Sequence, residues 1–350
     1  MLHRKSIVYF AGELSKFTRN YREETMIEVH ELTKKYLSHI KQPGLWGSVQ
    51  SIVKREYKEF IAADSVSFSI AEGELVGMLG ANGAGKTTTL KMLSGLLQPT
   101  SGTATVLGFK PWERKNEFRK NIALVMGQRN QLWWDLPAAD SFLLNKEMYG
   151  ISERDYSSRL KILTERLDIT DKLHIQVRKL SLGERMKCEL IGALLHYPKV
   201  VFLDEPTIGL DVVAQHVLRE FIAEFNKQQE TTIVLTSHYM EDIKALCKRV
   251  IVMDEGKIKY DGALAGLVEQ YADDKILRIV FDDVISNEVL ARFGQITEFH
   301  DDYVSMRIPR QEISTVTSSI LQSFKVHDIT ISEMPVEDII RTIFSNKTIG

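Results

Sequence analysis

From about Met26 the chain alternates short, continuously apolar runs with longer stretches whose apolar positions recur at helical spacing. Residues 74–79, apolar after Glu74, and 200–203 and 233–235, apolar without a break, show the pattern of strands covered on both faces. Residues 88–97 and 182–195 read as helices. This alternation predicts an α/β fold with a mainly parallel sheet and helices packed on it. After the polar junction YADDK at 271–275 the pattern changes. A strand over 276–281, a helical stretch to Phe293 and strands around 303–308 and 326–332 predict a small α+β domain. There is no internal repeat. The expected organisation is an N-terminal extension at 1–25, a main domain at 26–272 and an accessory domain at 273–350.

Composition narrows the function. The 350 residues carry 45 Lys+Arg against 47 Asp+Glu, a net charge of −2, which excludes a globally basic nucleic-acid binder. The 273–350 segment is more acidic, with 8 basic and 13 acidic residues. Only Cys188 and Cys247 occur, too few for a zinc cluster or a disulfide scaffold, so a reducing compartment is expected. No run of about 18 apolar residues would span a bilayer, and the first 25 residues lack the apolar block of a signal peptide. Residues 34–58 are the exception to neutrality, with six Lys/Arg against Glu56 alone. Leu45, Trp46, Val49, Ile52 and Val53 fall there at helical spacing. This basic insertion, placed at 37–56, reads either as an amphipathic helix on an anionic membrane surface or as a segment packed on its own domain.

Candidate chemistry begins at Gly80-Ala81-Asn82-Gly83-Ala84-Gly85-Lys86-Thr87, followed by Thr88, between a predicted strand and a predicted helix. In that context the glycines let backbone N–H groups converge on phosphates, and the helix N-terminus adds a positive dipole. Lys86 reaches the β and γ oxygens and the Thr87 hydroxyl ligates Mg²⁺. Downstream, the run 200–203 ends in Asp204 and Glu205. Asp204 is placed to hold Mg²⁺ through water and Glu205 to polarise the attacking water. The acidic strand end alone is weak; paired with the loop it points to a nucleoside-triphosphate hydrolase.

Between them lies Leu180-Ser181-Leu182-Gly183-Glu184. With this segment, residues 26–262 resemble the ATP-binding subunits of ATP-binding-cassette (ABC) transporters, a P-loop fold of mainly parallel sheet with a helical subdomain. Leu182 and Glu184 depart from that family's LSGGQ signature. The resemblance implies ATP and Mg²⁺ as ligands, and a head-to-tail homodimer or heterodimer in which Ser181 and Gly183 close over the phosphate held by the other subunit. Ser181 and Glu184 also form the pattern of a helix capping box, and the two readings are compatible. By the same resemblance Gln128 senses Mg²⁺ and water, Asp211 faces the dimer and His238 contacts the γ-phosphate. An aromatic platform for adenine is implied as well, with Tyr57 favoured over Tyr36. Trp133 and Trp134 either receive a membrane subunit or fill the helical subdomain's own core.

The implied function is an ATPase subunit at the cytoplasmic face of the cell membrane, powering separate transmembrane permease subunits without contacting nucleic acid. Residues 95–102 and 334–338 resemble drug and antibiotic exporter cassettes, and 128–136 a branch associated with multidrug or viologen export. A polysaccharide exporter and a soluble non-transport ABC ATPase are the alternatives. Family chains commonly begin where Met26 stands, so 1–25 is either an appendage or precedes the true start.

Overall fold

The computed structural model describes residues 25–39 and 57–340, except 128, 238, 272, 284, 301 and 337. The first part of the chain forms β1 (Thr25–His39), β2 (Tyr57–Ala71), β3 (Leu75–Gly80), α1 (Lys86–Leu93), β4 (Ser101–Val106), α2 (Asn116–Lys120) and β5 (Ile122–Met126). It continues through α3 (Ala138–Tyr149), α4 (Glu153–Arg166), α5 (Leu182–Leu194), β6 (Val200–Asp204), α6 (Val212–Gln229), β7 (Thr232–Thr236), α7 (Met240–Leu246), β8 (Arg249–Asp254), β9 (Lys257–Ala263) and α8 (Leu264–Tyr271). Then come β10 (Asp274–Phe281), α9 (Asn287–Leu290), β11 (Gln295–Phe299), β12 (Val304–Pro309), α10 (Ile313–Ser323) and β13 (Val326–Glu333).

The central sheet runs β5-β6-β7-β3-β8-β9, parallel except for the β8–β9 hairpin. The middles of its inner strands are apolar because they feed two cores at once. Val201 and Leu203 of β6 enter one core while Val200 and Phe202 enter the other, and β7 and β8 divide in the same way. Each such side chain contributes roughly 1.5–3 kcal/mol by leaving water. The strand ends are thereby pinned, and with them whatever side chains follow.

An antiparallel sheet, β2-β1-β4, covers one side of the phosphate loop. Both ends of the basic stretch belong to it: β1 continues through His39 and β2 starts at Tyr57, paired Leu37 to Glu59 and His39 to Tyr57. Strand pairing thus runs through residues 37–39, the first three positions of the stretch expected as the insertion. Residues 40–56, where the helical spacing falls, and 1–24 of the expected extension lie outside the described residues.

The third sheet, β11-β12-β10-β13, is antiparallel and packs on α9 and α10 around Leu277, Ile279, Met306 and Ile320. The helical stretch expected to reach Phe293 is the single turn Asn287–Leu290. After β13 the chain rejoins the main domain, where Met334, Val336 and Ile339 are buried in the same core as Val201 and Leu235. Among the described residues no helix is long and apolar enough to cross a membrane.

Candidate nucleotide site

The turn from β3 into α1 builds the centre of the site. Gly80, Gly83 and Gly85 have φ of 159°, 84° and 101°. At Gly85 the reason is steric as well as conformational, since a Cβ there would meet the Ala62 carbonyl oxygen at 2.3 Å. At Gly83 a Cβ would meet nothing within 4 Å, so this backbone borders open space. That space is an open cavity lined by Phe60, Ala62, Asn82, Gly83, Ala84, Gly85, Lys86, Thr87, Thr88 and Glu205.

Lys86 is 5% exposed, and its ammonium donates to the carbonyls of Gly80 at 2.7 Å and Ala81 at 3.1 Å. Burial pulls it below the usual lysine value, opposed by the neighbouring Glu205 and Asp204 carboxylates. The Thr87 hydroxyl donates to Asp204 Oδ1 at 2.9 Å, and the Thr236 hydroxyl donates to the same oxygen at 2.8 Å. Two oxygen donors from separate elements thus converge at the mouth of the loop, the chemistry a hard cation such as Mg²⁺ takes.

Glu205 follows with φ 55°, in the left-handed region, and its N–H is held by the Thr236 carbonyl at 3.0 Å and hydroxyl at 3.1 Å. Its carbonyl presses on Gly127 so closely that a Cβ there would lie 2.1 Å away. Gly127 is a requirement sequence reading did not recognise, because its partner lies 78 positions downstream. Gln128 and His238 lie outside the described residues.

Ser181 caps α5. Its hydroxyl accepts from the Glu184 N–H at 3.2 Å, and the Glu184 carboxylate accepts from the Ser181 N–H at 2.8 Å, completing the capping box. That backbone N–H holds the Glu184 carboxyl below its ordinary value. The Leu182 Cδ2 lies 3.1 Å from the position a Cβ on Gly209 would take, and a Cβ on Gly183 would come equally close to Ala214. Asp211 caps α6 by accepting from the Ala214 N–H at 2.9 Å. Ser181, Gly183 and Asp211 so form a second cluster, and none of them lines the cavity.

Of the two tyrosines, Tyr57 opens β2 opposite His39, and its side chain lies outside the described residues. Tyr36 sits across from Phe60 in the β1–β2 ladder, and it is Phe60, 54% exposed, that reaches the cavity lining. Sequence reading passed over Phe60. The available signal was its spacing of two from Ala62, which puts both on one strand face. Trp133 and Trp134 are 54% and 42% exposed, so neither fills the subdomain core built around Phe142 and Leu163.

A strand-to-helix phosphate loop facing a strand that ends in two carboxylates defines a P-loop nucleoside triphosphatase. Comparison with known proteins narrows this. Residues 63–208 match the ABC transporter family and 273–332 the C-terminal domain of EvrA-like ABC transporters. The ABC transporter ATP-binding protein NatA of Bacillus subtilis (strain 168) is 35% identical over 224 residues, covering 64% of this chain and 91% of its own. The linearmycin resistance ATP-binding protein LnrL of the same organism is 27% identical over 291 residues, 82% and 93% of the two chains. The Nod factor export ATP-binding protein I of Burkholderia orbicola (strain AU 1054) is 33% identical over 247 residues, 70% and 81%. A solved ATP-binding subunit of an ABC transporter superimposes with a TM-score of 0.59 at 26% identity, covering 71% of this chain and 93% of its own. The chain belongs to the ATP-binding subunits of ABC transporters, and it binds and hydrolyses ATP.

Proposed function

We propose that the chain drives export through separate membrane subunits, and that the cavity at Lys86 is where ATP is cleaved. Backbone N–H groups from Gly83 to Thr87 and the Lys86 ammonium hold the phosphates, and Glu205 takes a proton from the attacking water. Thr87, Asp204 and Gln128 would hold Mg²⁺, and the ion would supply neutralisation of the phosphate charge. His238 contacts the γ-phosphate in the same reading.

The second cluster acts on another copy of the cassette. Ser181 spends only acceptor capacity on its cap, which leaves its O–H free to donate to a phosphate. Val212 and Val213, beside Asp211, are 76% and 74% exposed, an apolar corner suited to being covered by a second subunit. Glu184 already occupies the Ser181 N–H, so closure relies on the hydroxyl and on Gly183 more than on the bare helix end.

Phe60 is the adenine platform, with Tyr36 beside it. Base stacking of this kind is worth about 1–3 kcal/mol, so Phe60→Ala weakens ATP binding by roughly five- to 150-fold. Calorimetric titration checks this, and unchanged affinity in Phe60→Ala with a loss in Tyr57→Ala would return the role to Tyr57.

The observation that carries the transport reading is the exposed apolar surface of the helical subdomain: Trp133, Trp134, Leu143 at 49% and Met148 at 61%. An aromatic pair of this kind is a suitable anchor for a membrane subunit, and the Arg185 guanidinium over Trp134, 5.1 Å from the ring centroid, holds one ring in place. Export, and a drug-like cargo, are favoured by the resistance and export relatives, with the subunit peripheral at the cytoplasmic face. The test is crosslinking from Trp134→Cys in the full chain co-purified with its membrane subunit. Adducts that form with the subunit are expected; complete absence of adducts at both Trp133→Cys and Trp134→Cys removes the docking surface.

A further inference from the structure

We propose that Asp242 is a positioning residue for hydrolysis, fixing the loop that presents Glu205; this rests on the reading of Glu205 as the base. Asp242, in α7, is 1% exposed and outside the cavity lining. Its carboxylate joins three elements. Oδ2 accepts from the Thr207 hydroxyl at 2.5 Å and from the Ser237 hydroxyl at 2.6 Å, and Oδ1 accepts from Arg219 Nη1 at 2.9 Å. Thr207 stands two residues after Glu205, Ser237 directly follows β7, and Arg219 belongs to the helix capped by Asp211.

The backbone of Glu205 explains why such a hub is needed. Its left-handed conformation is strained for a side-chain-bearing residue, and strain persists only where surrounding contacts over-determine it. On the N-terminal side Thr236 does this through both its carbonyl and its hydroxyl. On the C-terminal side the Thr207–Asp242 bond is the side-chain tie, seconded by Gln215 Nε2, which reaches the Leu210 carbonyl at 3.2 Å. Ser237 Oγ also accepts from the Tyr239 N–H at 3.0 Å, so the segment leaving β7 is drawn to the same carboxylate. Glu205, β7 and α6 consequently share one buried anchor.

Asp242→Asn leaves the Arg219 charge without its carboxylate and endangers folding, so the decisive variant is Thr207→Val, which keeps shape and removes only the hydroxyl. In the full-length chain Thr207→Val is expected to lower kcat for ATP hydrolysis by on the order of ten- to a hundredfold, the cost of a misplaced base. KM for ATP should stay within about twofold, because the phosphate-holding groups are untouched. Thr207→Ser, which restores the hydroxyl, should recover most of kcat. A merely structural bond would lower the melting temperature without this split. Wild-type kcat in both Thr207→Val and Ser237→Ala, measured below their melting temperatures, overturns the proposal. Glu205→Gln is run alongside: if it hydrolyses ATP normally, the reading of Glu205 falls and takes the role of Asp242 with it. If it is inactive while Thr207→Val and Ser237→Ala are both fully active, only the role of Asp242 fails.

Discussion

Glu205→Gln is expected to lower the rate of ATP hydrolysis by about a hundred- to ten-thousandfold while leaving ATP binding intact, the range typical for removing a positioned general base. The amide keeps the size of the carboxylate and its place at the end of β6, where the backbone is fixed by Thr236. What it lacks is basicity. It also removes one of the two carboxylates that face Lys86, so the cavity becomes less repulsive to a polyanion and ATP should bind at least as well. A cassette that binds but does not cleave accumulates in its closed form, a population shift driven by ligand contacts. Phosphate release measures the first effect, and size-exclusion chromatography with ATP the second. Hydrolysis near the wild-type rate would remove Glu205 from its role.

Lys86→Ala is expected to act on binding itself. The ammonium sits at 5% exposure, its desolvation already met by the Gly80 and Ala81 carbonyls and by the facing carboxylates. Without it, the triphosphate would enter a cavity whose remaining fixed charges are Asp204 and Glu205. Truncating one member of a buried, hydrogen-bonded charge pair costs about 2–5 kcal/mol, which is roughly thirty- to several-thousandfold in ATP affinity. Calorimetric titration with circular dichroism as a folding control is the measurement. Affinity within about threefold of wild type, in a folded variant, would show that the backbone cradle alone holds the phosphates.

The central sheet was legible because its strands are apolar on both faces, and no other pattern explains 200–203 ending in two carboxylates. The phosphate loop was legible because glycine spacing and flanking elements are local. The capping box at Ser181 and Glu184 was legible for the same reason. What escaped was non-local. Gly127 meets Glu205, and Thr207 meets Asp242 from 35 positions away, and neither distance has a trace in sequence spacing. Phe60 escaped as a residue of the cavity lining because its strand face, shared with Ala62, and not its aromatic identity puts it there. Helix α10 was hidden by its Ser and Thr content, a weak helix former overruled by the burial of Ile320 against the third sheet.

Met334, Val336 and Ile339 give the order of synthesis a structural meaning. The ATP-binding core borrows these side chains from a stretch translated more than sixty residues after the last strand of its own sheet. Burying them contributes roughly 1.5–3 kcal/mol apiece, a sum comparable to the 5–15 kcal/mol by which a typical domain is stable. Without that trailing segment the core of the cassette keeps an open apolar seam. A stop codon at the natural-looking boundary near Asp273 would not trim an ornament from a finished machine; it would leave the motor itself unsealed.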